Sequence, residues 1–308
     1  VSTAIAIKSL HEAQKLLFSA DIISALTVEA SLSSRNVFKP AIHKLKRHKG
    51  QIVSAANVFK LLKNSEIVAS HKNCDKIQDP YCVRCIPHIH GASWEIFSSS
   101  EKIVNNEINS VSDNPLIFPN GDVQNSGHFH AEPIAQALDS LSIAMSEIGA
   151  ISERRVHYLM KGADNNLPMF GAVKSGLESG FMLAHVTAAS LASENKTLAH
   201  PSSVDSISTS AGQEDIVSMA PWAGRSCLRI LDNVRTILAI ELLVSGNFNH
   251  RFHSNLNSGD ALKPLMALLK KSKVLSKKDR VFSKDIEIVN NLIKTDQVYS
   301  VVNKVSRV

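Results

Sequence analysis

Between residues 132 and 160, Ile134, Leu138, Leu141, Met145, Ile148 and Ile151 recur at intervals of three or four with polar residues between them. That is the period of one face of an α-helix, and a helix of that length rises roughly 40 Å, longer than most globular helices. The same pattern predicts helices over 1–32, over 179–199, and around Trp94, Phe97, Val104 and Ile108. Another is expected to begin near Gln213, reach the 240s and bend at Pro221, because proline lacks an amide hydrogen and crowds the preceding turn. Ser210-Ala211-Gly212-Gln213 has the spacing of a capping box. It would place Glu214 and Asp215 in a first helical turn, where the helix dipole favours negative charge. Polar loops cover 110–129 and 200–212, no run alternates as a strand would, and no period marks a repeat protein. The expected fold is all-α, a bundle of long, roughly antiparallel helices. Residues 1–260 are expected to form the bundle core carrying part of the active site, and 261–308 a basic C-terminal helical segment. Small-residue stretches such as HVTAASLASENKTLAH allow helices to approach closely, and helices this long usually have faces that one chain does not cover, so association through helices is expected, with a larger monomeric bundle as the alternative.

Composition narrows this picture only a little. Glycine (13) and proline (10) are sparse among 308 residues, which agrees with long helices. The formal charge of +6 is concentrated in KKSKVLSKKDR, residues 270–280. With no aromatic residues interleaved for base stacking, this reads as a solvated basic loop, so no nucleic-acid partner is expected. Four cysteines (Cys74, Cys82, Cys85, Cys227) are too few for a disulfide scaffold, and a reducing, cytoplasmic setting is the simplest expectation. Asn195-Lys196-Thr197 fits the glycosylation pattern, which matters only for a secreted chain. No apolar run is long enough to cross a membrane. The opening VSTAIAIKSLHEAQKLL lacks a basic leader and a small-residue cleavage site, and reads like a helix entered partway along.

Most of the candidate chemistry lies in IQDPYCVRCIPHIHGA, residues 77–92. Cys82, Cys85, His88 and His90 are zinc-type donors, but two histidines two apart do not reproduce the usual paired knuckles, and no βαβ context supports redox chemistry at the cysteines. In the other reading Tyr81 and Arg84 share one face of a helical turn. Arginine's planar fork grips a carboxylate with two hydrogen bonds, and a tyrosine beside a cation can act as acid, base or donor. The structural alternative pairs Arg84 with a structural carboxylate such as Asp79 and buries Tyr81 as packing. In GHFHAEP, residues 127–133, His128 and His130 are either ligands or anchors of the following helix. In HPSSVDSISTSAGQED, residues 200–215, Glu214 either serves the helix dipole or faces a cationic or imidazole group.

QDPYCVRC (78–85), SDNPLIF (112–118), FHAEP (129–133), ISERR (151–155) and SENKTLAHPSSVDSISTSAGQEDIVSM (193–219), with the opening VSTAIAI, together resemble the aromatic amino acid ammonia-lyases, in particular those acting on histidine. The resemblance covers nearly the whole chain and weakens from about residue 263. It implies an all-α homotetramer with each active site built from several subunits. It also implies removal of ammonia from an amino acid, here histidine to trans-urocanate, by means of an electrophile, 4-methylidene-imidazol-5-one, made from an internal Ala-Ser-Gly. Carried over by motif, Tyr81 would be the catalytic residue beside that electrophile. Arg84 would bind the substrate carboxylate, Gln78 would hydrogen-bond near the electrophile, Phe129 would line the pocket, and Glu214 would meet the substrate's imidazole or amine. The acidic residue in GQED points to histidine rather than phenylalanine. No metal is implied. The chain contains no Ala-Ser-Gly, and Val1 matches a point just past the asparagine-containing NGT motif of the family. The chain thus reads as the C-terminal three-fifths of such an enzyme, inactive unless a complementing N-terminal portion supplies the electrophile. The alternative is a pseudoenzyme or helical scaffold. Departures from the family pattern at His88, His90, His128 and Ala131 are expected to cluster around the pocket.

Overall fold

The computed structural model describes residues 1–72 and 76–306, so Cys74 lies outside the described residues. The chain begins with α1 (Ser2–Ala30), followed by α2 (Pro40–Lys44), α3 (Lys49–Leu61), α4 (Glu66–Ser70), the single turn α5 (Tyr81–Arg84) and α6 (Ile86–Ile108). A two-residue antiparallel pair, β1 (Leu116–Ile117) and β2 (Val123–Gln124), leads into α7 (Glu132–Met160). The turn α8 (Gly162–Asn165), α9 (Met182–Leu198), α10 (Ala220–Phe252), α11 (Lys263–Lys271), α12 (Ser283–Lys294) and α13 (Gln297–Ser306) complete the described fold. It is all-α as expected.

The residues whose spacing predicts α7 are buried: Ile134, Leu138, Leu141, Met145, Ile148 and Ile151 face the core. Contacts at both ends of the long helices fix their directions. Gly224 of α10 lies against Ile5 of α1 and Leu138 of α7, while Glu241, further along α10, meets Thr27 and Ser152. Helices α1, α7 and α10 therefore run the same way, so the antiparallel course expected of the long helices holds only between them and their neighbours α6 and α9. Ser93 and Ser100 of α6 donate to the carbonyls of Ala144 and Ala137, at 3.0 and 3.1 Å, so α6 runs antiparallel to α7. Helix α9 does likewise, with Asn195 near Ser146 and His185 near Glu153. Helix α12 packs on α10, and α13 on α1.

The expected helix start at Gln213 is not there. Residues Ser210–Gly212 form a tight turn, and α10 begins at Ala220 with Pro221 in its first turn. Proline costs nothing at that position, since the first amides of a helix have no partner within it. Pro221 thus opens the helix instead of bending it. Asn195 is fully buried and accepts a hydrogen bond from Asn233 at 2.9 Å, which closes it to glycosylation in the folded chain.

One turn is of opposite hand. Gly162, Ala163, Asp164 and Asn165 have φ of 74°, 46°, 62° and 67°. Left-handed backbone costs a side-chain-bearing residue about 1–2 kcal/mol. Complete burial of Ala163 and a 3.0 Å bond from the Asn166 side-chain amide to its carbonyl hold the turn.

Candidate active site

Pro80 opens the turn that carries Tyr81 and Arg84, and its carbonyl accepts from the amides of both Val83 and Arg84 at 3.0 Å. The three-residue spacing brings the two side chains together: the Arg84 guanidinium carbon lies 4.5 Å from the Tyr81 ring centre. Neither half of the structural alternative is seen among the described residues. Tyr81 is 70% exposed, so it is not packing. Asp79 accepts instead from the Ser34 amide at 2.8 Å and the Lys76 ammonium at 3.0 Å. Arg84 has no carboxylate partner among the described residues, and its Nε is buried without a hydrogen bond. Gln78 is exposed on the wall of a cavity of about 550 Å³ lined also by Arg35, Lys72 and Lys76.

Phe129 and Glu214 lie elsewhere. Phe129, 59% exposed, is just ahead of α7. The loop after Glu214 is tied to it by His130, whose ring donates to the Ile216 carbonyl at 3.1 Å. Glu214 is not in a helix: it pairs with Thr209 across a β-bridge and accepts from the Thr209 hydroxyl at 2.7 Å. Hydrogen bonds from Thr209 and Ser210 hold its carboxyl below the usual range, so it carries its charge at neutral pH. The turn α5 packs on α7, and Cys82, beside Tyr81, is within electrostatic reach of Arg154 and Arg155 near the other end of that helix. From Glu132 to Arg154 the helix rises roughly 33 Å. One chain therefore brings Tyr81, Arg84 and Gln78 together at one end of the bundle and Phe129 with Glu214 at the other.

Cys82, Cys85, His88 and His90 do not converge. His90 is fully buried with its Nδ1 2.8 Å from Asp21, and burial pushes the Cys82 thiol up to about 11. No group of three or more His, Cys, Asp or Glu side chains is placed to hold a metal among the described residues. His90 also departs from the expected cluster around the pocket, since it belongs to the core. His128 and His130 serve the loop, with His128 against Ser126 at 2.9 Å.

A sequence model for the family described as aromatic amino acid lyase matches residues 1–271. The chain belongs to that family. Among curated relatives, the histidine ammonia-lyase of Yersinia enterocolitica is 48% identical over 295 residues, and that of Vibrio cholerae 46%. Each match takes in 95% of this chain and 58% of the relative, so the chain spans under two thirds of the length of these lyases. The crystal structure of histidine ammonia-lyase from Trypanosoma cruzi superposes with a TM-score of 0.90 at 37% identity, covering 98% of this chain and 57% of that one. A tyrosine aminomutase from Streptomyces globisporus gives 0.91 at 27% identity, over 100% and 62%.

Two clusters in this family member escape motif reading. Beneath the Tyr81 turn, the Arg155 guanidinium donates to both oxygens of Glu241 at 2.5 and 2.8 Å, and both residues are fully buried. Glu241 also accepts from Thr27 and Ser152, each at 2.6 Å. Asp21 takes His90, Ser54 at 2.7 Å and Asn57 at 2.9 Å. The second cluster gathers Lys76, Tyr158, Asp164 and Asp79. The signal for the first was a lone acid within an apolar run: Asp21 in ADIISAL and Glu241 in LAIELLV. The second has no such signal.

Proposed function

We propose that this chain is the substrate-gripping, helix-bundle portion of a histidine ammonia-lyase, which converts L-histidine to trans-urocanate and ammonia. The observation that carries the reading is Arg84: a half-buried guanidinium with no acidic partner among the described residues, stacked beside an exposed tyrosine. A buried donor without a partner is costly, and a substrate carboxylate would satisfy it with a charge-assisted, two-point bond. Tyr81, projecting from the same turn, exchanges or orients a proton beside the bound amino acid. Glu214, charged at neutral pH, suits the imidazole or amine of histidine. Phe129 supplies an exposed apolar wall.

The self-made 4-methylidene-imidazol-5-one group supplies the electrophile that makes loss of the amine feasible. These residues contain no Ala-Ser-Gly from which it forms. Tyr81 and Gln78, whose side chains hydrogen-bond no other described residue, are the ones free to face it. The separation of Arg84 from Glu214 supports a pocket shared between copies of the chain. Helix α9 supports association as well, since Leu183 and Val186 remain 70% and 55% exposed on it.

Urocanate absorbance tests the reading. The purified chain alone should leave L-histidine unchanged, and mixing it with an Ala-Ser-Gly-bearing N-terminal portion should produce urocanate. In the mixture Arg84→Ala should raise KM and lower turnover. Turnover by the chain alone would refute its incompleteness, and unchanged kinetics in Arg84→Ala would remove the carboxylate role.

A further inference from the structure

Residues 76–80 have their polarity turned inside out. Ile77 is 98% exposed and Gln78 is exposed, while the charged Asp79 is only 4% exposed and Lys76 is half-buried. Apolar contact therefore does not hold this segment against the bundle. Charged side chains do. The Lys76 ammonium reaches Asp79 at 3.0 Å, Asp164 at 2.8 Å and the Tyr158 hydroxyl. The Tyr158 hydroxyl in turn donates to Asp164 at 2.7 Å. Burial draws the Lys76 pKa down, but hydrogen bonds to Asp164, Tyr158 and Asp79 outweigh it and hold Lys76 above its ordinary value. Burial, the largest single influence, pushes the Asp164 carboxyl up, but the bonds from Lys76 and Tyr158 and the charge of Lys76 together outweigh it and hold Asp164 below its ordinary value.

Asp164 can reach Lys76 because it sits in the left-handed turn after α7, where neighbouring residues hold a costly backbone in place. From Lys76 the connection runs through Asp79 to Pro80, and the Pro80 carbonyl receives the amides of Val83 and Arg84. A shift at Asp79 therefore reaches the turn that carries Tyr81 and Arg84.

We propose that Asp164 and Lys76 form a latch that sets the position of residues 77–84, which makes both of them positioning residues for the carboxylate-binding turn. The functional part of this inference rests on the reading of Tyr81 and Arg84 given above; the latch itself does not. Neither residue touches substrate. Lys76 ties the segment to the bundle, and Asp164 fixes where Lys76 points.

Amide hydrogen exchange on the whole chain tests this without any turnover. In Lys76→Met and Asp164→Asn, peptides covering 77–85 should exchange faster by about tenfold or more, while those from α1, α7 and α10 keep their wild-type rates. Lys76→Arg keeps the charge and the donors and should restore slow exchange. Asp164→Asn is isosteric at a side chain 50% exposed, so the variant folds. Unchanged exchange at 77–85 in both variants would overturn the latch. So would loss of protection spread over the whole chain, or a Lys76→Arg variant as fast as Lys76→Met. If the latch holds and histidine is not processed even with the electrophile supplied, the functional reading fails while the latch stands. The opposite pair of results fails the latch alone.

Discussion

Glu241→Gln keeps the shape of a fully buried side chain and removes its charge. In the wild-type chain the carboxylate accepts four hydrogen bonds: two from Arg155, at 2.5 and 2.8 Å, and one each from Thr27 and Ser152 at 2.6 Å. The amide can accept through one oxygen only, and its nitrogen faces donors where an acceptor is needed. The Arg155 guanidinium, also fully buried, loses the anion that its geometry matches. The next group within reach, Nε2 of His90 at 3.5 Å, offers a long contact to a ring that burial keeps neutral against the pull of Asp21. Breaking a buried pair by removing one partner costs about 3–5 kcal/mol, a large share of the roughly 5–15 kcal/mol that stabilises a typical protein. At about 2–4 °C per kcal/mol for a chain somewhat smaller than this one, thermal unfolding followed by circular dichroism should show a midpoint lowered by roughly 6–20 °C. Arg155→Met combined with Glu241→Leu removes both charges together and should recover most of that loss, because no uncompensated ion remains. A single variant that melts within about one degree of wild type would refute the claim that this pair holds α1, α7 and α10 in register.

A Cβ at Gly91 would lie 2.3 Å from the backbone nitrogen of Gln51 and 2.4 Å from its Cα, so Gly91→Ala should force α3 and α6 apart and lower the melting midpoint, whereas Gly127→Ala, with open space around it, should not. His88, His90, His157, His250 and His253 all have pKa values lowered, chiefly by burial. The unfolded chain therefore binds more protons than the folded one as pH falls through about 6.5, so this contribution to stability is present above that pH and is lost below it. Urea midpoints measured from pH 8 to pH 5 should fall on the acid side, and His90→Met should make that fall shallower; a slope equal to wild type would exclude His90 as a contributor.

The helices were legible where one face alone is buried. Ile134 to Ile151 mark α7 because core contact demands the three-to-four spacing, and Glu132 and Met160 bound it as the pattern predicts. The start of α10 was misread because Ser210 to Gln213 imitates a cap. The physical stop is Pro221, which fits a first helical turn more readily than a helix interior. Tyr81 and Arg84 were legible as a pair because residues three apart on a helical turn face the same way. The partners of Lys76 were not legible. They depend on a left-handed turn whose hand no local residue dictates, apart from Gly162 at its start and Asn165 at its end. The exposure of Tyr81 was likewise not legible, since a tyrosine in a helical turn reads equally well as core.

On the proposed reading, pieces of one site lie at opposite ends of one bundle. Because α1, α7 and α10 are parallel, their N-terminal ends gather Phe129 and the Glu214 loop, and the Arg84 turn lies far along α7 in the other direction. A substrate the size of an amino acid cannot span roughly 33 Å of helix. On the proposed reading, two copies related by a two-fold axis across the middle of the bundle resolve this. Such an axis reverses the helix direction of the second copy, so the Arg84 end of one chain lies beside the Glu214 end of the other, and the same operation builds a second, identical site. The parallel course of the three longest helices, which would be an odd choice for a free-standing bundle with short connections, then has a reason: it keeps the two halves of the site apart within each chain and brings them together only in the assembly.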